Sequence, residues 1–316
     1  MEKMNFESFT QLIAKHIIHW LPENFLEAKV ILQKITKEND IRLTGLTIRP
    51  KEGSNVVPTI YLDSFYQEYL DGKDINAILH EIADLRLEHE VTELLDTTWV
   101  ASFAECSSKI FPKLVGYEKN KNLLNQRPHV LIEDLAILFI IDLGMHNNGF
   151  TSIPIDNQMM NVWEVSTEEL YEVAMHNLTS ANNNIFVPMK TVMAELLLPD
   201  LLNDCGGNEA LAEHMLSLLV PDNIDLFVLS NKEKINGASV ILDDKCMQQV
   251  IDKMGTDFYI LPSSINEWLV VPAWVQDPGV LRSIVQEING STVDEADQLS
   301  DSVYTYSAEA GLRRIA

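Results

Sequence analysis

Six side chains in this 316-residue sequence have types and spacings that can do chemistry. Ser263 and Ser264 follow Pro262 between two short apolar runs, Phe258 to Leu261 and Trp268 to Pro272. The runs read as strands, and Pro262 to Glu267 as the loop joining them. Catalytic groups concentrate on such loops. A serine nucleophile also needs a base and an oxyanion hole. His129 and Asp134, at the entrance to the apolar run Leu135 to Ile141, can form the orienting half of a catalytic dyad. Against this stands the absence of Gly-x-Ser-x-Gly, the nucleophile elbow. A plainer reading gives Pro262-Ser263-Ser264 to turn chemistry, Asn266 and Glu267 to local capping, and His129–Asp134 to a structural pair.

His80 and Asp84 complete the set. Leu79-His80-Glu81-Ile82-Ala83-Asp84 approaches His-Glu-x-x-His, whose two ligands share one helix face and bind zinc. Here Asp84 holds the second position and a third ligand is missing, so an acidic solvated helix face explains the residues more cheaply. His16 and His19 lack a third ligand in the same way. Gly206-Gly207 is an isolated glycine pair, and neither Gly-x-Gly-x-x-Gly nor a phosphate-binding Gly-Lys-Ser/Thr loop occurs. No cofactor or metal is expected.

Composition restricts the function classes. The net charge is −24, and it is uneven: residues 1–120 hold 13 Lys+Arg against 19 Asp+Glu, or −6, whereas 121–316 hold 10 against 28, or −18. Such a surface repels phosphate backbones and anionic membranes, so direct nucleic-acid or membrane binding is not expected. It maintains solubility, and it can steer a basic partner. Cys106, Cys205 and Cys246 are odd in number and widely spaced, which suits a reducing compartment. The first residues lack a signal peptide's apolar core, and no apolar run is long enough to span a bilayer. The expected location is the cytoplasm.

The elements that must position these groups follow from periodicity and caps. Phe6 to Trp20 has a helical apolar face, and 28–35 with 41–48 read as a hairpin across Lys37 to Asp40. An extended segment is expected over 56–62, then helices capped by Asp63 and Asp74. Val100 to Phe111 and Lys113 to Leu124 read as helices, and Leu135 to Ile141 as a buried central strand. Strands are expected at 149–155 and 159–163, then a helix from Ser166 with Glu169 closing a capping box. Helices follow at 189–198 and 209–219. From 225 to 306 the reading is strand, strand (Ala238 to Leu242), helix, strand, strand, helix, strand. Closely spaced strand pairs imply an α+β fold, with antiparallel or mixed sheets and helices mainly on one face. Two regions are expected, 1–120 and 121–316, divided near 112–128.

Several blocks carry a resemblance. Trp163-Glu164-Val165-Ser166-x-Glu168-Glu169-Leu170-Tyr171-x-x-Ala174-x-x-Asn177, Asn236-Gly237-Ala238, Tyr259-Ile260-Leu261-Pro262-Ser263-Ser264-Ile265-x-Glu267 and Leu299-Ser300-Asp301-x-Val303-Tyr304-x-Tyr306 occur in order. Together the blocks resemble an uncharacterised bacterial family known only as a domain of unknown function. The resemblance implies an accessory role and carries over no activity or site residue. Two functions therefore compete. One is a protein that binds a basic protein partner through its acidic surface, and this is the reading adopted. The other is a hydrolase-type enzyme using a site near 262–267.

Overall fold

The structure is a computed structural model describing residues 3–52, 57–90, 98–146, 149–220 and 225–316. The chain divides into two compact units, 1–99 and 100–316. The division falls before residue 120 because Ile110–Gly116, expected to be helical, is a strand paired along its length with Leu135 to Ile141 of the same unit.

In the first unit, α1 (Phe6–His16) starts on Asn5, whose side chain accepts a hydrogen bond from Ser8 N. The expected hairpin is β1 (Lys29–Thr36) against β2 (Arg42–Arg49), antiparallel, with Asn39 and Asp40 at positive φ in the connection. β3 (Thr59–Tyr61) adds to β2; the extended segment expected from Val56 starts outside the described residues. α2 (Leu62–Leu70) begins one residue before Asp63, so Asp63 does not cap it. Its carboxylate instead accepts from Thr44 N at 2.7 Å, tying the helix to β2. α3 (Ile75–Glu88) starts on Asp74, as its sequence predicts. Phe9, Ile13, Leu46, Ile48, Ile78 and Ile82 close one apolar core. Arg86 is buried in it, stacked over Phe25 and donating to the Ile48 carbonyl at 3.2 Å; burial pushes its pKa down.

The second unit opens with α4 (Phe103–Cys106), β4 (Ile110–Gly116), α5 (Lys121–Leu124), β5 (Val130–Ile132), β6 (Leu135–His146) and β7 (Gly149–Pro154). β6 contains the predicted buried strand and is central: β4 lies along one side, and β5 and β7 pair with it in succession. α6 (Asn157–Trp163) stands where 159–163 was expected to be extended. Asp156 accepts from Gln158 N and Met159 N, and this cap favours the helix. α7 (Thr167–Ala181) carries the capping box between Ser166 and Glu169.

The second sheet is built from β8 (Asn184–Pro188), β9 (Phe227–Asn231), β10 (Phe258–Ser264), β11 (Glu267–Pro272), β12 (Tyr304–Ser307) and β13 (Gly311–Arg314). Its strand order is β13-β12-β10-β11-β9-β8. The helices between these strands are α8 (Met189–Asp204), α9 (Glu209–Leu219), α10 (Asp244–Met254) and α11 (Pro278–Ser291). The strand expected at Ala238 to Leu242 is a 3-10 helix, Gly237–Leu242. There the chain crosses the end of the β9–β11 pair instead of running beside it. A Cβ on Gly237 would stand 2.2 Å from Ser230 Oγ and 2.4 Å from the Asn266 carbonyl oxygen, so only glycine permits the approach. Every strand pairing among the described residues is antiparallel, and the fold is α+β.

Candidate functional site

The six candidate side chains do not assemble. His80 Nδ1 and Asp84 Oδ2 form an exposed pair at 2.7 Å on α3, and no group of three metal-ligating side chains exists among the described residues. Ser263 and Ser264 are strand residues: β10 and β11 run on to a tight turn at Ile265 and Asn266, with a bulge between Pro262 and Ser264. Ser263 Oγ donates to Glu267 at 3.0 Å, and Ser264 Oγ accepts from Asn266 N at 3.1 Å. Those are local bonds of a hairpin end, and neither involves a histidine.

His129 and Asp134 are held apart by β5. Asp134 sits in the two-residue turn between β5 and β6, where Ile132 pairs with Leu135 and Glu133 takes φ 52°. His129 precedes the far end of the three-residue strand, so the extended backbone separates them by ~10 Å. His129 Nδ1 bonds the Arg127 carbonyl at 3.0 Å.

Asp134 collects a different set of partners. Ser300 Oγ and Ser302 Oγ donate to its Oδ2 at 3.0 and 2.8 Å, and Tyr304 OH donates to Oδ1 at 2.6 Å. The three donors are two residues apart, on the segment that leads through a bend at Asp301 into β12. All three are buried. Arg314 Nη1 stands 3.8 Å from Oδ2 and balances part of the charge. The carboxylate thereby ties the β5–β6 turn of one sheet to the start of β12 in the other. The spacing of Ser300, Ser302 and Tyr304 was a readable signal, but the sequence does not reveal that Asp134 receives it.

Burial, with the Asp134 charge and hydrogen bond after it, pushes the Tyr304 phenol well above its ordinary range. A tyrosine with a raised folded-state pKa stabilises the fold fully below its unfolded pKa of about 10. Above that pH the unfolded chain releases a proton that the folded chain retains, so stability falls by up to about 1.4 kcal/mol per pH unit. The expected result is a steeper loss of urea midpoint above about pH 10 for the wild-type chain than for Tyr304→Phe. Equal slopes would show that this phenol is not protected.

The other blocks also serve the framework. Trp163 Nε1 donates to the Val100 carbonyl at 2.8 Å. Asn177 Nδ2 donates to the carbonyls of Ser107 and Ile110 at 2.6 and 2.9 Å. Trp268 Nε1 reaches the Ala238 carbonyl at 2.7 Å, and Asn236 N donates to Asn266 Oδ1 at 2.9 Å. These polar groups are spent within the framework, mostly on backbone carbonyls.

Two surfaces stand out among the described residues. A cleft of about 220 Å³ opens in the second unit, lined by neither serine, nor His129, nor Asp134. Separately, α8 and α9 pack as a helical hairpin whose outer face is apolar and acidic.

The fold and these surfaces define an α+β protein of two antiparallel-sheeted units, without an assembled catalytic constellation among the described candidates. The chain belongs to the family of unknown function DUF5688, whose model matches residues 6–308. No curated protein and no solved structure matches it. Among the described residues no helix is long and apolar enough to cross a membrane.

Proposed function

We propose that this is a cytosolic accessory protein that binds a basic amphipathic helix of another protein on its α8–α9 hairpin. One observation carries the reading. Leu211, Met215, Leu218 and Leu219 lie at positions i, i+4, i+7 and i+8 of α9, a single helical stripe, yet they are 46%, 38%, 72% and 56% exposed. Ala212, at the edge of this stripe beside Leu219, is fully buried. α9 thus has one broad apolar sector, buried in the fold along the edge that holds Ala212 and left in water along the rest. Exposed apolar stripes of this kind are characteristic of helix-docking surfaces.

Charge selects the partner. Residues 195–219 contain Glu195, Asp200, Asp204, Glu209 and Glu213, all exposed, and neither Lys nor Arg. α11 has a comparable exposed row, Val280, Ile284 and Ile288, but Arg282 accompanies it. The acid-only charge of this segment favours the α9 stripe and a partner with Lys or Arg flanking its own apolar face. The hydrolase alternative gains no comparable support, since the Ser263 and Ser264 hydroxyls bond within their own hairpin.

The test is titration calorimetry with a synthetic amphipathic Leu/Lys helix, beside a scrambled peptide of the same charge. Binding is expected for the amphipathic peptide alone, weakening as salt rises. Leu218→Ser with Leu219→Ser, both exposed and so tolerated by the fold, is expected to weaken it by about tenfold or more. Unchanged binding by the double variant, or a chain that self-associates through α9 and ignores the peptide, would refute the reading.

A further inference from the structure

The cleft in the second unit lies where the β6–β7 end of one sheet meets the β8–β9 end of the other. The last turn of α7 and the 3-10 helix Gly237–Leu242 close its sides. Its wall is apolar, with Phe111 and Ile140 from β4 and β6, Phe150 from β7 and Leu178 from α7. Its ionisable groups are all of one sign: Asp142, Glu233 and Asp243, with no Lys, Arg or His in the lining.

Each carboxylate is held by neutral donors. Asp142 Oδ1 accepts from Gly144 N at 2.6 Å, at the bulge where the β6–β7 register shifts. Asp243 Oδ1 accepts from Thr179 Oγ1 at 3.1 Å and from Lys245 N at 3.2 Å. Glu233 accepts from Asn183 Nδ2. None of the three forms an ion pair among the described residues. These bonds fix the carboxylates in place without neutralising them. Asp243 is buried, Asp142 is half-buried and Glu233 is exposed at the rim, so a cation that enters between them is attracted more strongly than at the open surface. Asn231 is engaged with Ile235 through both its amide atoms and keeps this rim of the cleft rigid.

We propose that the cleft binds a small aliphatic diamine or polyamine, with ammonium groups at Asp142, Glu233 and Asp243 and the methylene chain along the Phe111–Ile140–Phe150 wall. A carboxylate ring alone would favour a metal ion, but the apolar wall and the amide-rich rim suit an extended organic cation better. The chain's −24 charge raises the local concentration of such cations and speeds their arrival. This site is separate from the α9 surface, and either can fail without the other.

The experiment titrates putrescine and spermidine into the full chain, with 1,4-butanediol as the uncharged analogue of putrescine. The amines are expected to raise the melting temperature by about 2–4 °C at roughly ten times their Kd, and the diol to leave it unchanged. Asp142→Asn and Glu233→Gln should each weaken binding by about tenfold. Ala181→Phe, at an exposed position on the cleft's edge, should block it without changing any charge. Glu209→Gln with Glu213→Gln, on α9, should bind as the parent does. Equal loss in the α9 variant, retained binding in Ala181→Phe, or equal binding of the diol would each overturn the proposal. The first would reduce amine binding to general surface charge.

Discussion

Asp134→Ala is expected to lower the unfolding free energy by about 3 kcal/mol, read as a fall in the urea midpoint at unchanged slope. The substitution removes a single acceptor group but strands three donors. Ser300, Ser302 and Tyr304 are buried, and each gives its hydroxyl proton to this carboxylate. A buried donor left without an acceptor costs about 1–3 kcal/mol. Ser300 and Tyr304 can still bond each other at 2.7 Å, so the three losses do not add in full. Asp134→Asn should cost about half as much, because one side-chain oxygen remains to accept while the amide nitrogen faces a donor. If Asp134→Ala unfolds at the parent midpoint, the turn at 133–134 is not a tie between the two sheets.

Trp268→Ala should cost about 3–5 kcal/mol, the range for a large aromatic truncated in a closed core. Trp268 is fully buried, in register with Pro262 on β10 and with Leu229 on β9. Its ring meets Tyr304 edge-on, with centroids 5.4 Å apart, and its indole N–H satisfies the Ala238 carbonyl. Truncation therefore opens a cavity, leaves a buried carbonyl unpaired and releases one wall of the Tyr304 site. Because Asp134 and Trp268 both hold Tyr304, the double variant should lose less than the sum of the singles. Additive losses would show the two to be independent, and a small loss in Trp268→Ala would show that the sheet does not depend on this side chain.

The amino-acid order alone determined the elements whose signals are local. The run from Leu135 is apolar at every position, which suits a strand covered on both faces, and β6 is that strand. Asp74, and Ser166 with Glu169, each cap the helix they precede. The β10–β11 pair, the α+β class and the family are also legible in the sequence.

Where the sequence misled, the deciding term was non-local. Ile110–Gly116 became a strand because β6 offers it a complete row of backbone partners, and Pro112 is accommodated there with its carbonyl accepting from Ser239. Ala238 and its neighbours became a 3-10 helix because Gly237 lets the chain press against β9 and the Asn266 turn. The candidate residues obeyed the same rule. Proximity in sequence suggested His129 with Asp134, but an extended strand carries neighbours apart at about 3.3 Å per residue. Folding gave Asp134 instead to hydroxyls more than 160 positions away. Caps and periodicity are written within a few residues; which carboxylate meets which hydroxyl, and which apolar stripe stays in water, depends on how the sheets close over one another.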